Sequence, residues 1–258
     1  MSTVLVTGGT GALGKLIVER LSGGDHEVRV LSRRAGAGTH VGDLDTGAGV
    51  AAAASGVEVI VHAATDSRSF GRPDLAHTQH VLDVAGSVGH LVYVSIVGVD
   101  QVPLPYYRRK LACEQRIVDS AIPHTILRAT QFHELIATVL HRVERLPVAP
   151  LPTDFRFQSV AAADVATRLA ELVDLDPQGR APDFGGPEVL TLGQMVDQWR
   201  SVRGRPRRTL RVPIPGALAR SLRAGRNTAP EHLDGTRTWR DYVASTPRDA
   251  YTLRTPRK

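Results

Sequence analysis

The sequence predicts an α/β protein: a doubly wound parallel sheet with a small C-terminal lobe. Three observations support this. Strand and helix patterns alternate from the N-terminus, as in parallel sheets covered on both faces. The run Val4-Leu5-Val6-Thr7 ends in Gly8-Gly9-Thr10-Gly11-Ala12-Leu13-Gly14 and passes into a helical pattern from Lys15 to Leu21. The stretch from Val57 to Ala64 is almost wholly apolar, as a strand buried on both faces should be.

The elements follow in order. Val4–Thr7 is the first strand and the helix after the glycines is the first crossover. Val28-Arg29-Val30-Leu31 is the second strand, and Thr46 to Ser55 an alanine-rich helix. Val57–Ala64 is the third strand, and Pro73 to Ser87 a helix with proline near its first turn. His90–Ser95 is the fourth strand, Pro105 to Ser120 the next helix, and His124–Arg128 the fifth strand. A helix from Gln131 to about Arg145 completes a core spanning residues 1–146. Prolines at 147, 150 and 152 then mark entry into a lobe covering 147–258. In that lobe Ala161–Asp174, Leu192–Val202 and Pro215–Arg223 read as helices, the second capped by Thr191. The polar, basic residues from about Ser245 read as a frayed tail.

Composition narrows the class. At 258 residues the chain can bury a substantial core. The longest apolar stretch, from Ala48 to Ala64, is interrupted by Ser55, Gly56 and Glu58, which argues against a membrane span. The polar start, followed at once by a strand, predicts no signal peptide. Cys113 is the only cysteine, which excludes an internal disulfide and suits a reducing compartment. A cytoplasmic location is the expectation. The net charge is +6, and only Lys15, Lys110 and Lys258 among the 32 basic residues are lysines. The densest arginine run, Arg200 to Arg226, is broken by prolines and carries few aromatics, so it reads as a solvated face rather than a nucleic-acid site.

The glycine run carries the first chemistry. Glycines there permit a tight turn, approach of the backbone to a pyrophosphate, and close helix–strand packing. The helix start beyond them presents unpaired N–H groups to an anion. A lone fingerprint is weak, but one directly after a strand and before a helix has the required context, so the chain is expected to bind a dinucleotide. Gly8, Thr10, Gly11, Ala12, Leu13 and Gly14 are its expected contacts. The second strand ends in Ser32-Arg33-Arg34, where binders of the unphosphorylated cofactor place an acidic residue on the ribose. A guanidinium instead matches a 2′-phosphate with paired hydrogen bonds, so NADP(H) is the expected cofactor. In a doubly wound sheet the ligand lies beyond the carboxyl ends of the strands. That position also selects Ala63, Ala64, Thr65 and Ala129, with Asp43 and Leu44 either touching the adenine or forming an ordinary loop.

The fourth strand ends in Ser95, and eleven residues later Tyr106 precedes Lys110 by four, a spacing that places both on one helix face. A nearby ammonium would lower a phenol's pKa, so Tyr106 is the expected acid/base, with Ser95 holding a substrate oxygen. With these residues the chain resembles the short-chain dehydrogenase/reductase superfamily, whose catalytic set is Ser, Tyr and Lys in a Tyr-x-x-x-Lys motif. It is most similar to the atypical, NmrA-like branch. The matching pieces are Gly8, Gly11 and Gly14, Val94-Ser95, Pro105 to Lys110, Thr125 to Phe132, and Gly185 to Thr191. The resemblance covers the chain to about residue 245. It implies a Rossmann core, a small C-terminal lobe over the substrate, and Lys110 on the nicotinamide ribose. Members of this branch often lose the tyrosine and serve as redox sensors. This chain keeps it, although Ala63-Ala64-Thr65 replaces the Asn-Ala-Gly-like sequence of many active relatives.

The leading expectation is an NADP(H)-dependent oxidoreductase acting on a small carbonyl, enone or quinone-like substrate. A non-catalytic NADP(H) sensor with a protein partner is the second, and an epimerase or dehydratase with tightly held cofactor the third. His77-x-x-His80 has a metal-like spacing without accompanying ligands and reads as a solvated helix face. His133, with Gln131 and Phe132, is a candidate substrate contact by location. Cys113 reads as packed, and Trp199 and Trp239 as lobe core.

Overall fold

The computed structural model describes residues 2–66, 69–143, 146, 148–203 and 208–246. In chain order its elements are β1 (Thr3–Thr7), α1 (Ala12–Ser22), β2 (Glu27–Ser32), β3 (Thr39–Val41), α2 (Val50–Ala54), β4 (Val59–His62), α3 (Asp74–Leu82) and β5 (His90–Ile96). There follow α4 (Pro105–Asp119), β6 (His124–Ala129), α5 (His133–Val143), β7 (Val148–Leu151), β8 (Arg156–Phe157), α6 (Ala162–Val173) and β9 (Gly179–Arg180). The remainder are β10 (Leu190–Thr191), α7 (Leu192–Arg203), β11 (Arg208–Arg211), α8 (Ala217–Arg223) and α9 (Trp239–Ser245).

Two compact units result. The first takes residues 1–100, 104–129 and 165–182, and the second 101–103, 130–164 and 183–258. The first holds a seven-stranded sheet in the order β3-β2-β1-β4-β5-β6-β9, with every pairing parallel. The order reverses between β1 and β4, where Thr7 is paired with His62, so the loops after these strands face one another. Brändén-type crevices of this kind are where open α/β sheets take their ligands. Leu5, Ile60, Leu91 and Tyr93 pack with Val81, Leu82, Cys113 and Ile117 into one apolar cluster, which accounts for Cys113 as a packed residue.

A buried ion pair ties α4 to β6. Arg128 grips Glu114 through Nε (2.9 Å) and a second guanidinium nitrogen (2.6 Å), while its third nitrogen reaches Asp100 at 3.0 Å. A fork meeting a carboxylate in this way sets the register of helix on strand as well as joining them.

The helix expected over 46–55 is shorter, Val50–Ala54, because Gly47 and Gly49 adopt left-handed φ of 76° and 75° ahead of it. The expected helix from Pro73 to Ser87 ends at Leu82 and resumes as one 3-10 turn, Ala85–Ser87. The edge strand β3 lies outside the expected elements.

In the second unit, β8 pairs antiparallel with β10 and β7 parallel with β11. Its core joins Ile136, Ala137 and Leu140 of α5 to Met195 and Trp199 of α7 and Trp239 of α9. Trp199 and Trp239 stack at 5.9 Å, as lobe-core residues should. Thr191 accepts from the backbone of Gln194 and Gln194 Oε1 accepts from the backbone of Thr191, a reciprocal cap starting α7. Because α5 packs here, the second unit takes the chain from Thr130, ahead of the proline-rich stretch, as well as residues 101–103, while β9 returns to pair with β6. Pro147, Pro206, Arg145 and the tail beyond Thr246 lie outside the described residues.

Candidate dinucleotide and active site

The loop after β1 is built for close approach. Gly8 has φ of 72°, and a Cβ there would lie 2.7 Å from the backbone of Ala64. A Cβ on Gly14 would lie 2.1 Å from the carbonyl oxygen of Gly8. Gly8 O accepts from Gly11 N at 2.8 Å, closing the turn. Gly11 then caps α1 in an extended conformation, with no side-chain cap and no acidic residue in the first turn. Its first N–H groups and the positive end of its dipole are therefore unopposed. Thr10, Gly11 and Ala12 are exposed, Leu13 is half-buried and Gly14 buried. This cradle fits a pyrophosphate.

Ser32 ends β2 and accepts from Arg34 N at 3.1 Å, so its hydroxyl oxygen shapes the turn that presents the arginines. Arg33 and Arg34 are exposed, and Arg33 approaches Asp45 at 3.6 Å. Asp43 is half-buried and its carboxylate accepts from Asp45 N, the ordinary-loop alternative. The Leu44 side chain belongs to the apolar cluster, which leaves only its backbone for a ligand. Ala63 and Ala64 are half-buried after β4. Ala129 is buried at the end of β6, and its carbonyl accepts from Val97 N.

The proton-transfer candidates are arranged differently from the sequence expectation. Tyr106 opens α4 and its hydroxyl lies 3.0 Å from Thr65 Oγ1, which donates to Asp74 at 2.5 Å. Burial raises the phenol's pKa against the opposing pull of the Thr65 hydrogen bond, and the Asp74 charge adds to the rise. Lys110 is 3% exposed; its Nζ donates to Val94 O at 2.9 Å and lies 4.2 Å from the centre of the Tyr93 ring. Burial lowers its pKa. The expected lowering of the Tyr106 pKa by Lys110 is therefore not realised, because burial dominates and the ammonium is held at β5. Ser95 is buried, and its hydroxyl has no hydrogen-bond partner among the described residues. Tyr106 is thus a protonated phenol at Thr65, Ser95 an unsatisfied buried hydroxyl on β5 and Lys110 an enclosed ammonium at Val94 O.

Other expectations are corrected. His133 is fully buried, its two nitrogens 2.8 Å from Ser159 Oγ and 3.0 Å from Arg237 O, against Trp239 and Tyr242. It is a core residue of the second unit rather than a substrate contact. Gln131 is likewise committed, donating to Asn227 O at 3.0 Å, and Phe132 is half-buried and bridges to Val160. His77 and His80 are not a solvated face: they dock on Asp45 (2.6 Å) and Leu44 O (2.7 Å). Asp74 escaped the sequence reading because an acidic residue at a helix start is ordinarily explained by the helix dipole. Among the described residues no helix is long and apolar enough to cross a membrane.

Comparison with known proteins agrees with this geometry. A (4-alkanoyl-5-oxo-2,5-dihydrofuran-3-yl)methyl phosphate reductase from Streptomyces griseus subsp. griseus is 30% identical over 226 residues, spanning 83% of this chain and 78% of that protein. The fold matches an NADPH-dependent quinone oxidoreductase from Escherichia coli solved with NADPH (20% identity, 93% of this chain and 98% of that one, TM-score 0.75). It also matches the Citrobacter sp. triphenylmethane reductase complexed with NADP(H) (17% identity, 96% and 98%, TM-score 0.70). A model of the NAD(P)H-binding family matches residues 8–176, two-thirds of the chain and the whole span from the glycine loop through α6. With its glycine cradle at the reversal of a seven-stranded parallel sheet, this chain belongs to the NAD(P)H-binding family.

Proposed function

We propose that the protein is an NADPH-dependent reductase of a small conjugated acceptor, such as an enone or a quinone-like compound. The observation that carries this is Tyr106, a phenol held protonated in the first turn of α4. The activities of the relatives support it. The Streptomyces protein is a reductase of a dihydrofuranone bearing an alkanoyl group, and the Escherichia coli protein is a quinone oxidoreductase. Both compounds are electron-poor and conjugated.

When bound, the nicotinamide supplies hydride to the acceptor. The chain's residues do the rest. Gly8, Gly11 and Gly14 admit the pyrophosphate to the start of α1. Tyr106 gives a proton to the oxygen that gains charge, which becomes a stronger base than a phenolate as hydride arrives. Ser95 offers its unsatisfied hydroxyl to the same oxygen, relieving the cost of enclosing it without a partner. Lys110 ties α4 to β5 through Val94 O, and the family resemblance is what assigns its charge to the nicotinamide ribose.

NADPH oxidation across a panel of enones, quinones and simple carbonyls tests this. Tyr106→Phe should bind NADPH normally and lose about a hundredfold in turnover, the low end for general acid catalysis. Full turnover by that variant would remove Tyr106 from its role. NADPH binding with no turnover on any compound would favour the sensor reading.

The cofactor preference rests on Arg33. Its guanidinium is 73% exposed, and its contact with Asp45 is long. Arg33→Ala should weaken NADPH binding by about ten- to a hundredfold, the value of a charged hydrogen bond, and leave NADH binding unchanged. Calorimetric titration with both cofactors gives the answer. Equal losses for both would show that Arg33 does not read the 2′-phosphate.

A further inference from the structure

Asp74 is the first residue of α3 and is 2% exposed. Both carboxylate oxygens are occupied: Oδ1 accepts from Asp66 N at 3.0 Å and Oδ2 from the Thr65 hydroxyl at 2.5 Å. A carboxylate only accepts, so the single hydroxyl proton of Thr65 points to Asp74. Thr65 Oγ1 then meets the Tyr106 hydroxyl, 3.0 Å away, with a lone pair, and Tyr106 has to be the donor. The chain of bonds has one direction, Tyr106 to Thr65 to Asp74.

Phe70 and Gly71, just ahead of α3, lie close to these residues. Gly71 lies against two of them: a Cβ there would be 2.9 Å from Asp74 Oδ2 and 2.9 Å from the Tyr106 ring. Gly71 N donates to Asp66 O, and Arg109 on α4 donates to Phe70 O at 2.8 Å, strapping the loop to the helix that carries Tyr106. Phe70 keeps a positive φ of 56° in this loop, a conformation that bulky side chains rarely adopt unless the surroundings impose it.

We propose that Asp74, acting through Thr65, is the positioning residue for Tyr106, fixing the rotation of its hydroxyl. This rests on the reading of Tyr106 as the group that meets the substrate. To protonate a substrate oxygen, Tyr106 turns this one hydrogen from Thr65 to that oxygen, so the Thr65 bond holds the proton at rest. Asp74 also opposes ionisation of Tyr106 directly, by its charge. The other titratable groups around Tyr106 are Cys113 on α4 and Tyr93 on β5, with Lys110 over the Tyr93 ring. None of these is changed in the variants below.

The test is the ionisation of Tyr106 in the full chain, followed by NMR of ζ-carbon-labelled tyrosine and assigned by the resonance lost in Tyr106→Phe. Asp74→Asn keeps the shape and removes the charge, and should bring Tyr106 ionisation down by about one pH unit or more. Thr65→Val breaks the link between the phenol and Asp74 and should lower kcat, while Thr65→Ser should restore it. An unmoved titration in Asp74→Asn would overturn the proposal, since a merely structural Asp74 would change melting and leave Tyr106 alone. Unchanged kcat in Thr65→Val, with Tyr106→Phe impaired, would overturn the link through Thr65. The titration needs no turnover. Undiminished activity of Tyr106→Phe would count against the catalytic reading only, and an unmoved titration against the positioning proposal only.

Discussion

Gly14→Ala should weaken NADPH binding by at least about a hundredfold. The added carbon would lie 2.1 Å from Gly8 O and 2.7 Å from the carbonyl carbon of the same residue. These are backbone atoms that a rotamer change cannot remove. Either α1 slides outward or the turn that closes on Gly11 N opens. Both displace the first N–H groups of α1 from the pyrophosphate by something near an ångström, a misplacement that costs about a hundredfold where geometry carries the interaction. The same overpacking should lower stability by about 1–3 kcal/mol. Fluorescence titration with NADPH and thermal unfolding measure the two effects separately. Gly38→Ala is the control: Gly38 has no atom within 4 Å of its added carbon, and only its φ of 68° is strained. Should Gly14→Ala bind NADPH as the parent does, the close packing of α1 on the β1 turn does not hold the site.

That loop was legible in the sequence because its demands are on the backbone. Residues at Gly8 and Gly14 with side chains would collide with main-chain atoms whatever surrounds them. The buried strands were legible from their short apolar runs, Val4 to Val6 in β1 and Val59 to Val61 in β4. The short pairs β8–β10 and β7–β11 were not. Each strand has two to four residues, too few for a period, and its partner comes more than thirty positions later. Helix α9 carries no long apolar repeat either, and its start depends on Thr238 accepting from Asp241 N.

The same distinction divides the candidate site. Tyr106 and Lys110 were found by their spacing, which says what shares a helix face but not what lies beneath it. Beneath Lys110 lies β5, with a carbonyl at Val94 and a ring at Tyr93, and these take the ammonium. Beside Tyr106 lies Thr65, 41 positions earlier, brought there by the β4 loop. Glu114 and Arg128 are 14 apart and were read separately as helix and strand residues, yet their bond is among the most buried contacts between charges. Polar partners of this kind are set by the tertiary fold, and no local pattern announces them.

Acid should destabilise both units, and histidines are the reason. His62 lies in the first unit, between Thr7 Oγ1 (2.7 Å) and Thr78 Oγ1 (3.2 Å). Thr78 donates its own proton to Asp74 O, so it accepts from His62 Nε2–H, and Nδ1 accepts from Thr7. His133 in the second unit repeats the arrangement: Nε2–H donates to Arg237 O and Nδ1 accepts from Ser159. Each ring is neutral and has no place for a second proton. Burial lowers the His62 pKa to about 3, with Lys110 and His77 adding to it, and burial lowers the His133 pKa to about 4 against the opposing pull of Asp164. Unfolded, both rings bind protons below about pH 6.5. Between that value and the folded pKa the unfolded chain holds more protons, so stability is complete above pH 6.5 and falls as the pH drops. At pH 5 the two rings together should cost about 4 kcal/mol, a large part of the about 5–15 kcal/mol that holds a domain folded. His90, also lowered by burial, adds in the same direction. Denaturant unfolding at pH 7.5 and pH 5 measures the difference, before most exposed carboxylates begin to titrate. His133→Gln should remove about half of it, even though the substitution itself lowers stability at both pH values. Equal stability at the two pH values would mean that these rings accept protons in the folded protein, and that their hydroxyl and carbonyl partners do not hold them neutral.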